Sequence, residues 1–263
     1  MTAAAGADRV FITGASSGIG AALAREYAAR GAILGLAARR GDALAALVAA
    51  LPHPERHHYY AVDVLDHAAL QAAARDFLAR AGGADIVIAC AGISHGTLTE
   101  RPEDLAVFES VFATNMNATV ATFAPFVAPM KAQSGMRRLV VIGSLAGVRG
   151  MRGAGAYCAS KAAVHAYAES LRLELNSSGI RVVTIVPGYI DTPMTRNNPF
   201  PMPFLMPAAR FATGAVRAIA RGASYRVLPW QMGVVATLLR ALPNPVFDLL
   251  FARAPMKPRK EAA

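Results

Sequence analysis

Tyr157 and Lys161 stand four residues apart in Tyr-Cys-Ala-Ser-Lys, inside a segment of helical period. Positions i and i+4 share a helix face, so the phenol and the ammonium project into the same space. A free tyrosine ionises near pH ~10. An ammonium beside it favours the phenolate and brings that value down, so the phenol can give a proton to a carbonyl oxygen or take one from an alcohol. Ser144 follows the apolar run 138–143. A strand end there carries its hydroxyl to the same region, where it can hydrogen-bond a substrate oxygen that gains charge. Taken alone, Tyr-x-x-x-Lys also describes an ordinary solvated helix face.

Thr13-Gly-Ala-Ser-Ser-Gly-Ile-Gly20 supplies a second chemistry. Gly14 permits a tight exit from a strand, Gly18 lets backbone N–H groups approach a pyrophosphate, and Gly20 lets the next helix pack close to the sheet. The helix N-terminus adds partial positive charge. Gly14, Ser16, Ser17, Gly18, Ile19 and Gly20 are therefore the candidate phosphate-side contacts. The competing reading is a plain strand-to-helix turn.

The spacing G-x-x-x-G-x-G, with Ser144, Tyr157 and Lys161 downstream, resembles the short-chain dehydrogenase/reductase family over about residues 8–230. The resemblance implies an α/β fold: a doubly wound parallel sheet of Rossmann type in a single domain. It also implies a nicotinamide-dependent oxidoreductase acting on CH–OH/C=O groups. Asn115, in Thr-Asn-Met, matches the family's asparagine that holds a water beside the lysine in a proton relay. Lys161 should also bond the nicotinamide ribose. Asp63-Val64 resembles the adenine-contacting pair. Cys90-Ala91-Gly92 stands where the family usually has Asn-Ala-Gly, a departure that bears on the stability of the turn. Pro187-Gly188-Tyr-Ile190-Asp-Thr192 resembles the turn that seats the nicotinamide carboxamide, with Ile190 and Thr192 as contacts. Such enzymes commonly form homodimers or homotetramers through the helices that here hold Asn115 and Tyr157.

The cofactor expected is NADP(H). The second strand ends Ala37-Ala38-Arg39-Arg40, with Ala38 where NAD-preferring relatives carry an acid. An acid there would bond the ribose 2′-hydroxyl, whereas Arg39 and Arg40 suit a 2′-phosphate by charge and by fork geometry. Two solvated arginines after a strand are the plainer alternative.

The elements that must position these residues alternate. Short apolar runs at 9–13, 32–38, 57–62, 84–89, 138–143, 180–186 and 225–228 are expected strands. Helical segments are expected at 18–30, 42–51, 66–80, 102–130 and 155–177. Apolar strands separated by helices imply a parallel sheet covered on both faces. We expect an NADP-binding domain over 1–229 and an apolar, basic appendage over 230–263. The proline-rich run 197–207 is expected to form a loop or lid, at about 195–210. Its Phe and Met residues, with Ser94–Leu98, Val148–Gly153 and Tyr189, are expected to wall a hydrophobic ketone, aldehyde or alcohol, although the same residues also suit plain lid core. Apart from Arg149 and Arg152 no carboxylate-binding arginine cluster is evident near that wall.

Composition limits the alternatives. Of the 263 residues 54% are hydrophobic and 17% charged, which excludes a disordered chain. Two cysteines, Cys90 and Cys158, make no disulfide framework and suit a reducing compartment. The histidines have no metal-ligand spacing, so no metal is expected. Little sequence precedes the first strand and no apolar run reaches the ~20 residues of a spanning helix, so a cytoplasmic protein is expected. The net charge of +10 is uneven: residues 1–209 hold 18 basic and 15 acidic side chains, residues 210–263 nine and two. No nucleic-acid motif accompanies it. Two readings of the tail stay open. In one, Trp230 and the leucines enter a membrane surface while Lys257, Arg259 and Lys260 meet anionic headgroups. In the other, the tail covers the pocket or an interface between copies. A dinucleotide-binding regulator without catalysis is the main rival function.

Overall fold

The computed structural model describes residues 7–196 and 198–259. The chain start, Asn197 at the head of the proline-rich run, and Lys260 of the basic end lie outside the described residues. The chain runs β1 (Arg9–Thr13), α1 (Gly18–Ala29), β2 (Ile33–Ala38), α2 (Gly41–Ala49), β3 (His58–Ala61), α3 (His67–Ala81) and β4 (Ile86–Ala89). It continues through α4 (Asp104–Phe112), α5 (Ala118–Lys131), β5 (Arg138–Ile142), α6 (Gly155–Glu174), β6 (Arg181–Pro187), β7 (Ile190–Asp191) and β8 (Met206–Pro207). It ends with α7 (Ala208–Ala220), β9 (Tyr225–Leu228), α8 (Trp230–Ala241) and α9 (Asn244–Phe251).

Seven strands form one parallel sheet in the order β3-β2-β1-β4-β5-β6-β9. This is the Rossmann-type architecture expected from the alternation of elements. The five central strands are buried on both faces because helices cover both, whereas the edge strands β3 and β9 are partly exposed. Alternation within β1 assigns the partners: Val10 and Ile12 join Leu23, Tyr27, Leu44 and Phe211 on one face. Phe11, between them, joins Phe77, Phe123, Phe126 and Val164 on the other. The strand order reverses between β1 and β4, which opens a crevice at their carboxyl ends, the usual ligand position in such sheets.

The segment expected as one helix at 102–130 is interrupted. Ala113–Asn117 forms a π-turn between α4 and α5. An extra residue in the turn displaces the backbone, and Asn115 sits within it, wholly buried. The helix expected to reach residue 177 ends at Glu174, and a 3₁₀ turn Asn176–Ser178 follows it. The lid expected to run to about 210 stops earlier. Met206–Pro207 pairs with Ile190–Asp191, and α7 starts at Ala208 because no further proline prevents it.

Candidate functional site

A cleft of about 480 Å³ opens at the carboxyl ends of the strands. Gly14, Ser16, Ser17, Gly18, Ile19 and Gly20 line its floor. Gly14 and Gly18 take φ of +69° and +55°, the left-handed region that favours glycine. A methyl group on Gly20 would run into the Gly14 carbonyl oxygen, so the first turn of α1 must lack one there. Ser17 is the N-cap of α1 but its side chain does not cap the helix. The N–H groups of that first turn therefore remain open to an anion, as a pyrophosphate would require.

Arg39 and Arg40 border the same cleft with Ala38, Asp63 and Val64. Arg40 donates to the Ser16 hydroxyl at 3.1 Å, and an Arg39 guanidinium nitrogen stands 4.0 Å from the Asp63 carboxylate. The two guanidinium groups thus gather at the end opposite Tyr157 and Lys161, which also line the cleft. The residues present fit a nicotinamide dinucleotide: open N–H donors at its middle, cations and a half-apolar wall at one end, a phenol and an ammonium at the other.

Lys161 is buried, 6% exposed, and its ammonium donates to the Ile142 carbonyl at 2.9 Å. Burial pulls its pKa down to about 8. Burial also raises the Tyr157 phenol above the ordinary tyrosine range, while a hydrogen bond with Ser144 pulls the other way. Lys161 beside it is expected to lower the phenol, and desolvation of the phenolate opposes that here; the Lys161 ammonium itself bonds the strand-end carbonyl. The Ser144 hydroxyl also accepts from the Ala146 N–H at 3.2 Å, which fixes its side chain.

The Asn115 amide oxygen accepts from the Ile93 N–H (2.9 Å), and its nitrogen donates to the Ile93 carbonyl (3.1 Å) and to the Ser160 hydroxyl (2.9 Å). Ser160 in turn donates to the Tyr157 carbonyl at 2.9 Å. The Asn115 side chain therefore clamps the loop after β4 to the first turns of α6.

Cys90, Ala91 and Gly92 line the cleft, and the turn they form is held from β1. The Thr13 hydroxyl accepts from the Cys90 and Ala91 N–H groups at 3.2 and 3.4 Å. That support answers the doubt raised by a cysteine at this position. Burial pushes the Cys90 thiol up to about 12, which disfavours its thiolate. Thr13 was not singled out from the sequence, although it heads the glycine turn. Of the Pro187–Thr192 turn, Pro187 and Thr192 line the cleft. Gly188 faces Met232 and Pro229 instead, and Ile190 packs into the core.

The side expected to take the substrate holds a surprise in the tail. The Gly96 N–H donates to the Pro258 carbonyl at 2.9 Å, and Gly153 packs against Met256. Lys257 donates to the Ser94 hydroxyl at 2.8 Å and lies 5.6 Å from the centre of the Tyr157 ring. Arg259 forks onto the buried Asp104 carboxylate at 2.9 Å and reaches Glu103 at 3.0 Å. Arg149 is not a substrate arginine: it donates to the Leu239 and Leu242 carbonyls and stacks over Phe247. It thereby satisfies the open carbonyls at the end of α8. Among the described residues no group of three His, Cys, Asp or Glu side chains is arranged to hold a metal ion.

Comparison with known proteins bears on the family and the fold. The family described as short chain dehydrogenase matches residues 8–200. An uncharacterized oxidoreductase of Myxococcus xanthus is 36% identical over 245 residues, 90% of this chain and 93% of that protein. The 2-dehydro-3-deoxy-L-rhamnonate dehydrogenase (NAD(+)) of a Sphingomonas strain is 36% identical, covering 70% of this chain and 72% of its own length. The crystal structure of a short-chain dehydrogenase from Streptomyces avermitilis superposes with a TM-score of 0.79 at 26% identity, over 88% of this chain and 92% of that one.

His165, one turn beyond Lys161 on α6, lies behind Ser144. The Ser144 N–H donates to its Nε2 at 3.4 Å, and the Tyr225 ring meets its edge at 5.8 Å. Burial first, and then the Lys161 charge, draw its pKa down to about 4. Between pH ~6.5 and ~4 the unfolded chain binds a proton here that the folded one does not, so stability falls as pH falls through that window. The loss expected is about 3 kcal/mol. Denaturant unfolding at both ends of the window should show wild type losing more than His165→Asn by about that amount; equal losses would refute the assignment.

Proposed function

The chain belongs to the short-chain dehydrogenases, and from that premise we propose that it reduces a hydrophobic ketone or aldehyde with NADPH, or oxidises the matching secondary alcohol. The observation that carries this reading is the shared cleft: Tyr157 and Lys161 border the same space as the open first turn of α1 and the Arg39/Arg40 pair. The nicotinamide, when bound, supplies or accepts the hydride. Ser144 hydrogen-bonds the substrate oxygen and orients it. Tyr157 gives that oxygen its proton as negative charge gathers there, and takes it back in the reverse direction. Lys161 supports the phenolate and holds the ribose. We assign Asn115 to positioning, since its amide is committed to Ile93 and Ser160. Pro187 and Thr192 border the nicotinamide end, with Gly188 and Ile190 shaping the turn behind them, and Asp63, Val64 and the Cys90–Gly92 turn border the adenosine end. Residues 1–229 make up the catalytic domain in this reading, and 230–263 its appendage.

The preference for NADP(H) rests on this chain's own residues. The Sphingomonas relative is named for NAD(+), so membership of the family does not decide it. Ala38 offers no acid to a 2′-hydroxyl, while the two guanidinium groups beside it favour a 2′-phosphate.

A cytoplasmic oligomer is the assembly we propose. Leu105 and Phe108 on α4 and Leu173 on α6 are exposed apolar residues on the helices that flank the site. The exposed Trp230, Leu238, Leu249 and Leu250 on α8 and α9 favour a second apolar contact, with another copy or with a membrane surface. No single helix among the described residues is long and apolar enough to cross a membrane, and α8 and α9 are bent by 120°.

Three measurements test these readings. Tyr157→Phe should lower kcat for carbonyl reduction about 10²-fold or more while NADPH still binds; an unimpaired variant would leave a cofactor-binding regulator as the better account. Wild type should favour NADPH over NADH in kcat/KM by about tenfold or more, and Arg39→Ala with Arg40→Ala should erase the difference; equal constants in wild type defeat the cofactor assignment. Trp230→Gln with Leu249→Gln should reduce either the oligomer in sedimentation or the co-sedimentation with anionic liposomes. If neither moves, the α8–α9 face has no docking role.

A further inference from the structure

The last described residues do not trail into solvent. They form a strap across the entrance to the substrate side, fastened at three places. Arg259 forks onto Asp104 and Glu103 at the start of α4. The strap's backbone pairs with Gly96, and Met256 fills the space left by Gly153. Glycine is required at both positions: a methyl on Gly96 would strike the Lys257 carbonyl, and one on Gly153 would meet Met256 within 2.8–3.0 Å. The loops that line the substrate side are therefore shaped to accept this segment.

The strap carries Lys257 to the Tyr157 ring. Its position is unusual for a half-buried cation. Among the described residues its one hydrogen-bond partner is the neutral Ser94 hydroxyl, and it makes no ion pair. The neighbouring carboxylates of Asp104 and Glu103 are taken by Arg259. Of the two arginines near this wall, Arg149 is committed to the end of α8 and Arg152 is exposed to solvent. A half-desolvated ammonium with no counter-charge among the described residues is costly, and burial draws the Lys257 pKa below the ordinary lysine range. An anionic group seated beside it would remove that cost.

We propose that Lys257 is a specificity-determining residue and that the substrate is an amphipathic carbonyl compound with a carboxylate, its apolar body against the Phe- and Met-rich lid and its anionic group on Lys257 and Ser94. The inference rests on the reductase reading given above and names the substrate class for it. It also assigns a task to part of the basic tail: Arg259 anchors the strap, and Lys257 reads the substrate.

The test compares oxodecanoates, with the carbonyl placed at successive positions along the chain, with their methyl esters. Each pair is assayed with NADPH on wild type, Lys257→Met and Lys257→Arg. Wild type should favour at least one acid over its ester by about tenfold or more in kcat/KM, the scale of a hydrogen bond to a charged group. Lys257→Met should bring that ratio close to one through the KM of the acid, and Lys257→Arg should retain it. Turnover by wild type without preference for any acid, or a preference that survives Lys257→Met, overturns this inference and leaves the reductase reading standing. If wild type turns over no member of the series, the reductase reading loses its support, and calorimetric titration of decanoate in the presence of NADP⁺ decides the inference separately. Binding weakened about tenfold by Lys257→Met supports it; equal binding, or none to wild type, overturns it.

Discussion

A buried ammonium must find an acceptor, and Lys161 has no carboxylate within reach among the described residues. The carbonyl at the end of β5 takes that role, at 2.9 Å from Ile142. This one bond ties α6 to the sheet at the point where the strand stops making ladder bonds. Tyr157 one turn earlier and His165 one turn later are placed by the same helix, and Ser144 follows two residues beyond the carbonyl. Much of the site's geometry thus descends from the cost of burying one charge. A parallel sheet suits such an arrangement because its strand ends present unpaired backbone groups along one edge. Glycine turns, side-chain hydroxyls and a lysine then share that edge.

The parts of the protein legible in the sequence are those set by local pattern. The apolar runs became strands, since burial on both faces needs continuous apolar residues. The Gly14–Gly20 turn was legible because its backbone conformation and its close helix approach tolerate few other residues. Tyr157 and Lys161 were legible through helical spacing. What remained hidden depends on partners far along the chain. Thr13 reaches the Cys90 turn 77 residues away, and Lys257 reaches Ser94 across 163 residues. No local pattern marks a threonine as a brace or a terminal lysine as part of a site. His165 could have been noticed, because it continues the i, i+4 series of Tyr157 and Lys161, but a single histidine on a helix does not say which side it serves.

The charge distribution shows the same limit. The surplus in the last fifth of the chain left two readings open, a membrane surface or a cover over the pocket or an interface between copies. Once folded, several of these charges work close to the cleft. Arg259 pairs with acids of α4, Lys257 stands over the Tyr157 ring, and Arg240 donates to the Val148 carbonyl of the substrate-side loop. Net charge is a sum, and a sum does not record address. Arginines that cap helix ends or fasten a strap count the same as those facing solvent, although their energetic roles differ.

The π-turn at Ala113–Asn117 has a further consequence. Each residue of an α-helix advances ~100° about the axis, so one extra residue rotates all that follows by that angle. α4 lies against α6, whereas α5 turns toward α3 and β4. The inserted residue acts as a phase shifter: a nearly continuous helical rod presents one bearing surface before the turn and a different one after it. Asn115 sits at the change of phase, where the backbone departs from regular repeat and a side chain can reach out of the helix to the neighbouring loop. The irregularity is thus the means by which one rod meshes with two sets of neighbours.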